Sequence, residues 1–160
     1  MTIASLEAGC PAVGSAAPEF TLRSTADTDV TLASFRGRKN VLLTFFPLAF
    51  TSTCTAEMQA FTDDIAQFEG RDTVVLPISV DSTATLKEFK AKWQMPFDLL
   101  SDFKRGVSRQ YGVLNDEKFY ANRAYVLIDK QGIVRWTWQE QQNSNRRENA
   151  ELLERLRRLE

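Results

Sequence analysis

Between residues 41 and 80 the hydrophobic period changes twice, and this constrains the fold more than any other feature. "VLLTFF" (41–46) is short, apolar and rich in strand formers, as a buried central strand is. Met58, Phe61, Ile65 and Phe68 then recur at helical spacing, with Asp63, Asp64 and Gln67 between them. That pattern predicts an amphipathic helix from about Cys54 to Glu69. "TVVLPISV" (73–80) returns to strand character. Pro77 inside it lacks a ladder donor, so this strand needs a bulge or an unpaired side.

The flanking segments extend the same alternation. "PEFTLRSTADTDVTLASF" (18–35) reads as an N-terminal β-hairpin around a polar turn at Thr25 to Asp29. Leu86, Phe89 and Trp93 mark a second helix, and "MPFDLLSD" (95–102) a loop or short strand. "KRGVSRQYGV" (104–113) reads as a short helix ended by Gly112. "RAYVLIDKQGIVRWTW" (123–138) is a hairpin around Asp129 to Gly132, with Trp136 and Trp138 on one sheet face. The C-terminal helix carries Leu152, Leu153, Leu156 and Leu159 on one side. Glu151–Arg155 and Glu154–Arg158 are i, i+4 pairs on the other. The order predicts an α/β fold with a central mixed β-sheet flanked by helices. Residues 1–13 are small and loosely patterned, an irregular arm; 14–160 form one domain.

Composition removes several kinds of chemistry. A net charge of -1 points to neither nucleic acid nor an anionic membrane surface. No apolar run approaches the roughly 20 residues needed to span a bilayer. The first 20 residues lack the basic head and apolar core of a secretory signal, so the cytoplasm is the expected location. There is no histidine, which excludes Ser-His-Asp and Cys-His pairs and every histidine-ligated metal site. Two cysteines, Cys10 and Cys54, make neither a four-thiolate zinc site nor a disulfide framework. No metal and no bound cofactor are expected.

Cys54 stands where the central strand gives way to the helix. Thr51, Ser52 and Thr53 are all helix-cap types, so the helix starts among them. A cysteine in a first helical turn meets unpaired backbone N–H groups and the positive end of the helix dipole, and both favour the thiolate. The alternative is a small buried hydrophobe.

"PLAFTSTC" fits the pattern P-x-x-x-T-x-x-C through Pro47, Thr51 and Cys54. This resembles the peroxiredoxin family. "APEFTL", "SFRGRKNVLLTFFPLAFTSTC", "ISVDS", "FDLLSDF", "YGV" and "NRAYVLIDKQGIVR" also look like peroxiredoxin segments in the expected order, over most of residues 14–138. The resemblance implies a thioredoxin-like fold and a thiol-dependent peroxidase acting on hydrogen peroxide or small organic hydroperoxides. It makes Cys54 the attacking thiolate, Thr51 a hydroxyl that orients the peroxide and contacts the thiolate, and Pro47 a shield against bulk water. Arg123 matches the family arginine that stabilises developing charge. Backbone groups near Thr53 and Cys54 add donors, and Glu57 holds Arg123. Each residue also has a plainer reading: a surface arginine, a first-turn acid, a cap, a strand terminator.

The usual resolving positions are empty. One falls on Gln59 and the other lies near a C-terminus without cysteine. The chain therefore looks most like the one-cysteine peroxiredoxins of the alkyl hydroperoxide reductase E type. These rely on an external thiol or a thioredoxin-like protein. Cys10 reads as a free surface thiol or as a resolving cysteine brought in by a flexible arm. A homodimer is implied by the family, with Phe46, Leu48 and Phe50 as its apolar edge. Two rivals remain. A thioredoxin-like disulfide oxidoreductase needs C-x-x-C, and the first of those positions is Thr51. A non-enzymatic peroxide sensor would share the first chemical step.

Overall fold

The computed structural model describes residues 9–159. Its main sheet has seven strands: β1 (Thr21–Ser24), β2 (Asp29–Thr31), β3 (Asn40–Phe45), β4 (Thr73–Ser79), β5 (Leu100–Ser101), β8 (Ala124–Ile128) and β9 (Val134–Gln139). The spatial order is β2-β1-β5-β4-β3-β8-β9. β3 pairs parallel with β4 and antiparallel with β8, so the sheet is mixed as expected. Two short strands that sequence reading missed, β6 (Leu114–Asn115) and β7 (Tyr120–Ala121), form a separate ribbon. The helices are α1 (Ser52–Glu69), α2 (Thr83–Trp93), α3 (Gly106–Gln110) and α4 (Asn149–Arg157).

The strands' period of two divides the core. Leu42, Phe46, Val75, Tyr125 and Leu127 face α1, α2 and α4, together with Cys54, Met58, Phe61, Phe89 and Leu156. Val41, Leu43, Phe45, Ile78, Val126 and Val134 face the other way, onto Phe20, Leu32, Val107 and Tyr111. Each fully buried large apolar side chain contributes about 1.5–3 kcal/mol relative to exposure, so both layers are needed. Trp136 and Trp138 share a face as expected: Arg155 lies over the first ring and Arg147 over the second.

The tension at Pro77 resolves on pairing. The Ile78 carbonyl faces β3, where Phe46 N–H donates to it at 3.0 Å, so the nitrogen of Pro77 faces β5. The β4–β5 ladder begins only at Ile78, and no strand there needs a donor from residue 77.

Three expectations change. Phe46 is fully buried, so of the proposed apolar edge only Phe50 is exposed, with Leu48 half-buried beside it. Glu151 pairs with Arg147 at 3.4 Å, because Arg155 is drawn over Trp136; the Glu154–Arg158 pair forms at 3.4 Å. Of the expected arm, residues 1–8 lie outside the described residues. Gly9 runs close beside Gly112, at φ +69°, where a Cβ would sit 1.9 Å from the Gly9 carbonyl oxygen. Cys10 is a free thiol, half-buried against the core layer opposite Cys54 rather than fully exposed.

Candidate active site

The loop from β3 into α1 sets the site's geometry. Asp81, just beyond β4, accepts from Ala49 N–H at 2.8 Å and from the Ser79 hydroxyl at 2.7 Å. This ties the loop to the sheet. Phe50 holds φ +69°, the left-handed turn that sends the chain into the helix. A bulky residue there costs of order 1–3 kcal/mol unless its surroundings over-determine it.

Thr51 is the N-cap residue, yet its side chain makes no capping bond. Its hydroxyl donates to the Leu48 carbonyl at 2.7 Å, which leaves its oxygen lone pairs available as acceptors. The first intrahelical bond runs from Thr55 N–H to the Thr51 carbonyl. The amides of Ser52, Thr53 and Cys54 therefore precede it, at the positive end of an 18-residue helix.

Cys54 is 1 % exposed. Arg123, equally buried, comes from the start of the β8 segment and directs Nη2 at the Cys54 sulfur, 3.1 Å away. Its Nη1 donates to Glu57 Oε1 at 2.5 Å. Its Nη2 and Nε also reach the Asn143 carbonyl, and its backbone N–H donates to Asn143 Oδ1 at 2.8 Å. Burial works against the guanidinium's charge, but Glu57 and Cys54 outweigh it and the group stays protonated. Burial pushes the Glu57 carboxyl above its ordinary value; Arg123, Tyr125 and Arg146 oppose this.

A cleft of about 250 Å³ opens over this pair, lined by Pro47, Thr51, Thr53, Cys54, Tyr120 and Arg123, with Asn143 and Ser144 as its far wall. A larger cleft of about 630 Å³ lies among Asn40, Arg71, Asp129, Lys130 and Arg158, and contains no thiol. The structure thus brings Pro47, Thr51, Thr53, Cys54, Glu57 and Arg123 together, and leaves Cys10 in the opposite layer. Sequence reading missed Tyr120, Tyr125, Asn143 and Ser144. Tyr125 carried a signal: two residues beyond Arg123 on one strand, it must share that face.

Comparison with known proteins decides the family. The AhpC/TSA family model matches residues 13–137. Alkyl hydroperoxide reductase E of Mycobacterium tuberculosis is 44% identical over 126 residues, covering 78% of this chain and 82% of that protein. The chain belongs to the AhpC/TSA family of peroxiredoxins.

Further relatives agree. The chloroplastic peroxiredoxin Q of Oryza sativa subsp. japonica is 40% identical over 130 residues, 80% of this chain and 59% of that protein. The reduced 2-Cys peroxiredoxin of Plasmodium vivax superposes with a TM-score of 0.85 at 33% identity, covering 92% of this chain and 95% of that one. AhpC of Mycobacterium tuberculosis gives 0.85 at 27% identity, covering 94% and 93%. The fold of this peroxiredoxin is accordingly thioredoxin-like, and its activity is that of a thiol-dependent peroxidase. A peroxide is the oxidant, and a thiol or thioredoxin supplies the electrons. Among the described residues no helix is long and apolar enough to cross a membrane.

Proposed function

We propose that this peroxiredoxin reduces hydrogen peroxide and small organic hydroperoxides through the Cys54 thiolate. The observation that carries the reading is the 3.1 Å contact between Arg123 Nη2 and the Cys54 sulfur at the start of α1. The thiolate attacks one peroxide oxygen, an S–O bond forms and the O–O bond breaks. The departing alkoxide or hydroxide takes a proton and leaves as alcohol or water, while Cys54 becomes a sulfenic acid. Arg123 and the amides of Thr53 and Cys54 stabilise the charge that moves onto the leaving oxygen. The Thr51 hydroxyl, its proton committed to Leu48, accepts from the peroxide O–H. Pro47, buried at the cleft wall, keeps bulk water from the sulfur.

An external thiol or thioredoxin-like protein then attacks the sulfenic sulfur, releasing water and forming a mixed disulfide. A second thiol resolves it. Cys10, packed in the opposite layer, takes no part in this reading. The protein works in the cytoplasm as a homodimer, with exposed Phe50 and neighbouring Leu48 as the apolar surface beside the cleft.

The test is the intact mass of the reduced protein seconds after one equivalent of hydrogen peroxide. A gain of about 16 Da that disappears in Cys54→Ser supports a one-cysteine enzyme. A loss of about 2 Da, or a covalent dimer, assigns the resolving step to Cys10 or a second Cys54. An unmodified thiol, in a solution where free cysteine is oxidised, overturns the reading.

A further inference from the structure

The fully buried Tyr125 ring lies beneath the site, on the same face of β8 as Arg123. Its hydroxyl sits 2.5 Å from Glu57 Oε2, and Arg147 N–H donates to that hydroxyl at 2.9 Å. A phenol has one proton. With the Arg147 amide already donating to its oxygen, that proton goes to the Glu57 carboxylate. Were Glu57 protonated and donating instead, the tyrosine O–H would be buried without a partner, at a cost that native structures avoid. The arrangement therefore fits an ionised Glu57 that receives Arg123 on one oxygen and Tyr125 on the other.

We propose that Tyr125 is a positioning residue for the peroxidase reaction, fixing the Glu57 carboxylate that holds Arg123 against the Cys54 sulfur. The inference rests on Cys54 being the attacking thiolate. Its physical content is a relay of three short contacts. Tyr125 fixes one carboxylate oxygen, so the other presents a set direction to Nη1, and Nη2 is then aimed at sulfur. With Nη2 on Cys54 and the Asn143 carbonyl and Nε on that same carbonyl, Arg123 meets Glu57 through Nη1 at one carboxylate oxygen. The Tyr125 hydroxyl supplies the second donor that the buried carboxylate would otherwise lack. It also joins the segment after Asn143 to the site through Arg147 N–H.

The titratable and charged groups around Glu57 are Arg123, just before β8, Tyr125 from β8, Arg146 from the segment before α4, and Cys54 one turn earlier on α1. Burial, the largest influence on Glu57, favours its neutral form, and the Tyr125 bond is one of the groups opposing it. Without that bond Glu57 takes up a proton at higher pH, and Arg123 loses its charged partner there.

The experiment uses the full chain with Cys10→Ser throughout, so that one thiol is read. The second-order rate of reaction with hydrogen peroxide is measured from pH 4.5 to 9 for this parent, Tyr125→Phe, Glu57→Gln and the double variant. Circular dichroism checks that each folds. Tyr125→Phe keeps the ring and removes only the hydroxyl. Its rate should fall about tenfold near pH 6, approach the parent at pH 9, and show an acid limb moved to higher pH. In the Glu57→Gln background the same change should leave the shape of the pH profile unaltered. A parent that does not react overturns the peroxidase reading itself. A reactive parent with an unchanged Tyr125→Phe profile overturns the positioning role alone. A uniform loss at every pH, or an equal profile shift in the Glu57→Gln background, also overturns it.

Discussion

The two cysteines sit in opposite layers of one sheet, and their surroundings differ in kind. Cys54 lies at a helix start with a guanidinium nitrogen 3.1 Å from its sulfur. Cys10 packs against an apolar layer, and burial pushes its thiol up to about 11. Cys54 is fully buried and Cys10 half-buried, so burial alone does not mark either thiol as reactive. The difference is the partner. The Cys54 sulfur faces a guanidinium and the first amides of a helix, whereas Cys10 lies among hydrocarbon, which penalises the charged form of its thiol.

Replacing each cysteine tests the contrast most directly. Cys54→Ser should abolish reaction with peroxide, a loss of at least about a thousandfold, while Cys10→Ser leaves the rate within about twofold; stopped-flow oxidation measures both. Equal losses would break the comparison. Removing the cation should move Cys54 toward the behaviour of Cys10. Arg123→Ala should cost about 10²–10³ in peroxide rate, or roughly 3–4 kcal/mol of transition-state stabilisation. Arg123→Lys should recover only part of this, because one ammonium cannot serve Glu57, Asn143 and the sulfur together.

Alkylation with iodoacetamide gives the contrast a pH axis. With its thiol near 11, Cys10 is about 0.1% ionised at pH 8, so modification found by peptide mass should fall on Cys54 and reach Cys10 only as pH rises toward 11. Gly112→Ala sharpens this further. Its new methyl would displace the Gly9 carbonyl, so the variant should lose about 1–2 kcal/mol in urea unfolding and make Cys10 easier to alkylate. Peroxide reduction at Cys54 should hardly change.

The smallest effect lies away from both thiols, in the β8–β9 turn. Asp129 accepts from Gln131 N–H, Ile133 N–H and Arg135 Nε. Although burial pulls the other way, those bonds hold its carboxyl below the ordinary value. The folded state is therefore favoured where Asp129 is ionised, above the ordinary carboxylate range near pH 4, and that contribution is lost as pH falls through the depressed value. Asp129→Ala should cost about 1 kcal/mol at pH 7 and less at pH 3, by denaturant titration at both.

Much of this was legible in the chain. Met58, Phe61 and Phe68 announced α1 because an amphipathic helix must repeat its apolar face every turn. Pro47, Thr51 and Cys54 lie on one continuous stretch, so their grouping at the β3–α1 loop followed from local order. Arg123 and Glu57 were named by family resemblance, not by spacing: 66 residues separate them. The β6–β7 ribbon was missed because two-residue strands leave no periodic pattern. The Glu151–Arg155 pair was expected from helix spacing, but Trp136 competed for the arginine from another element.

The sequence by itself determined the α/β order and the place of Cys54 at a helix start, because these depend on neighbours along the chain. Only the tertiary structure decided three other things: that the sulfur faces Arg123, that Glu57 is shared between Arg123 and Tyr125, and that Cys10 lies across the sheet from the site. Each of these rests on which strands pair and which face a residue takes. A sheet's period of two assigns faces within a strand, but packing between strands and helices sets what those faces meet.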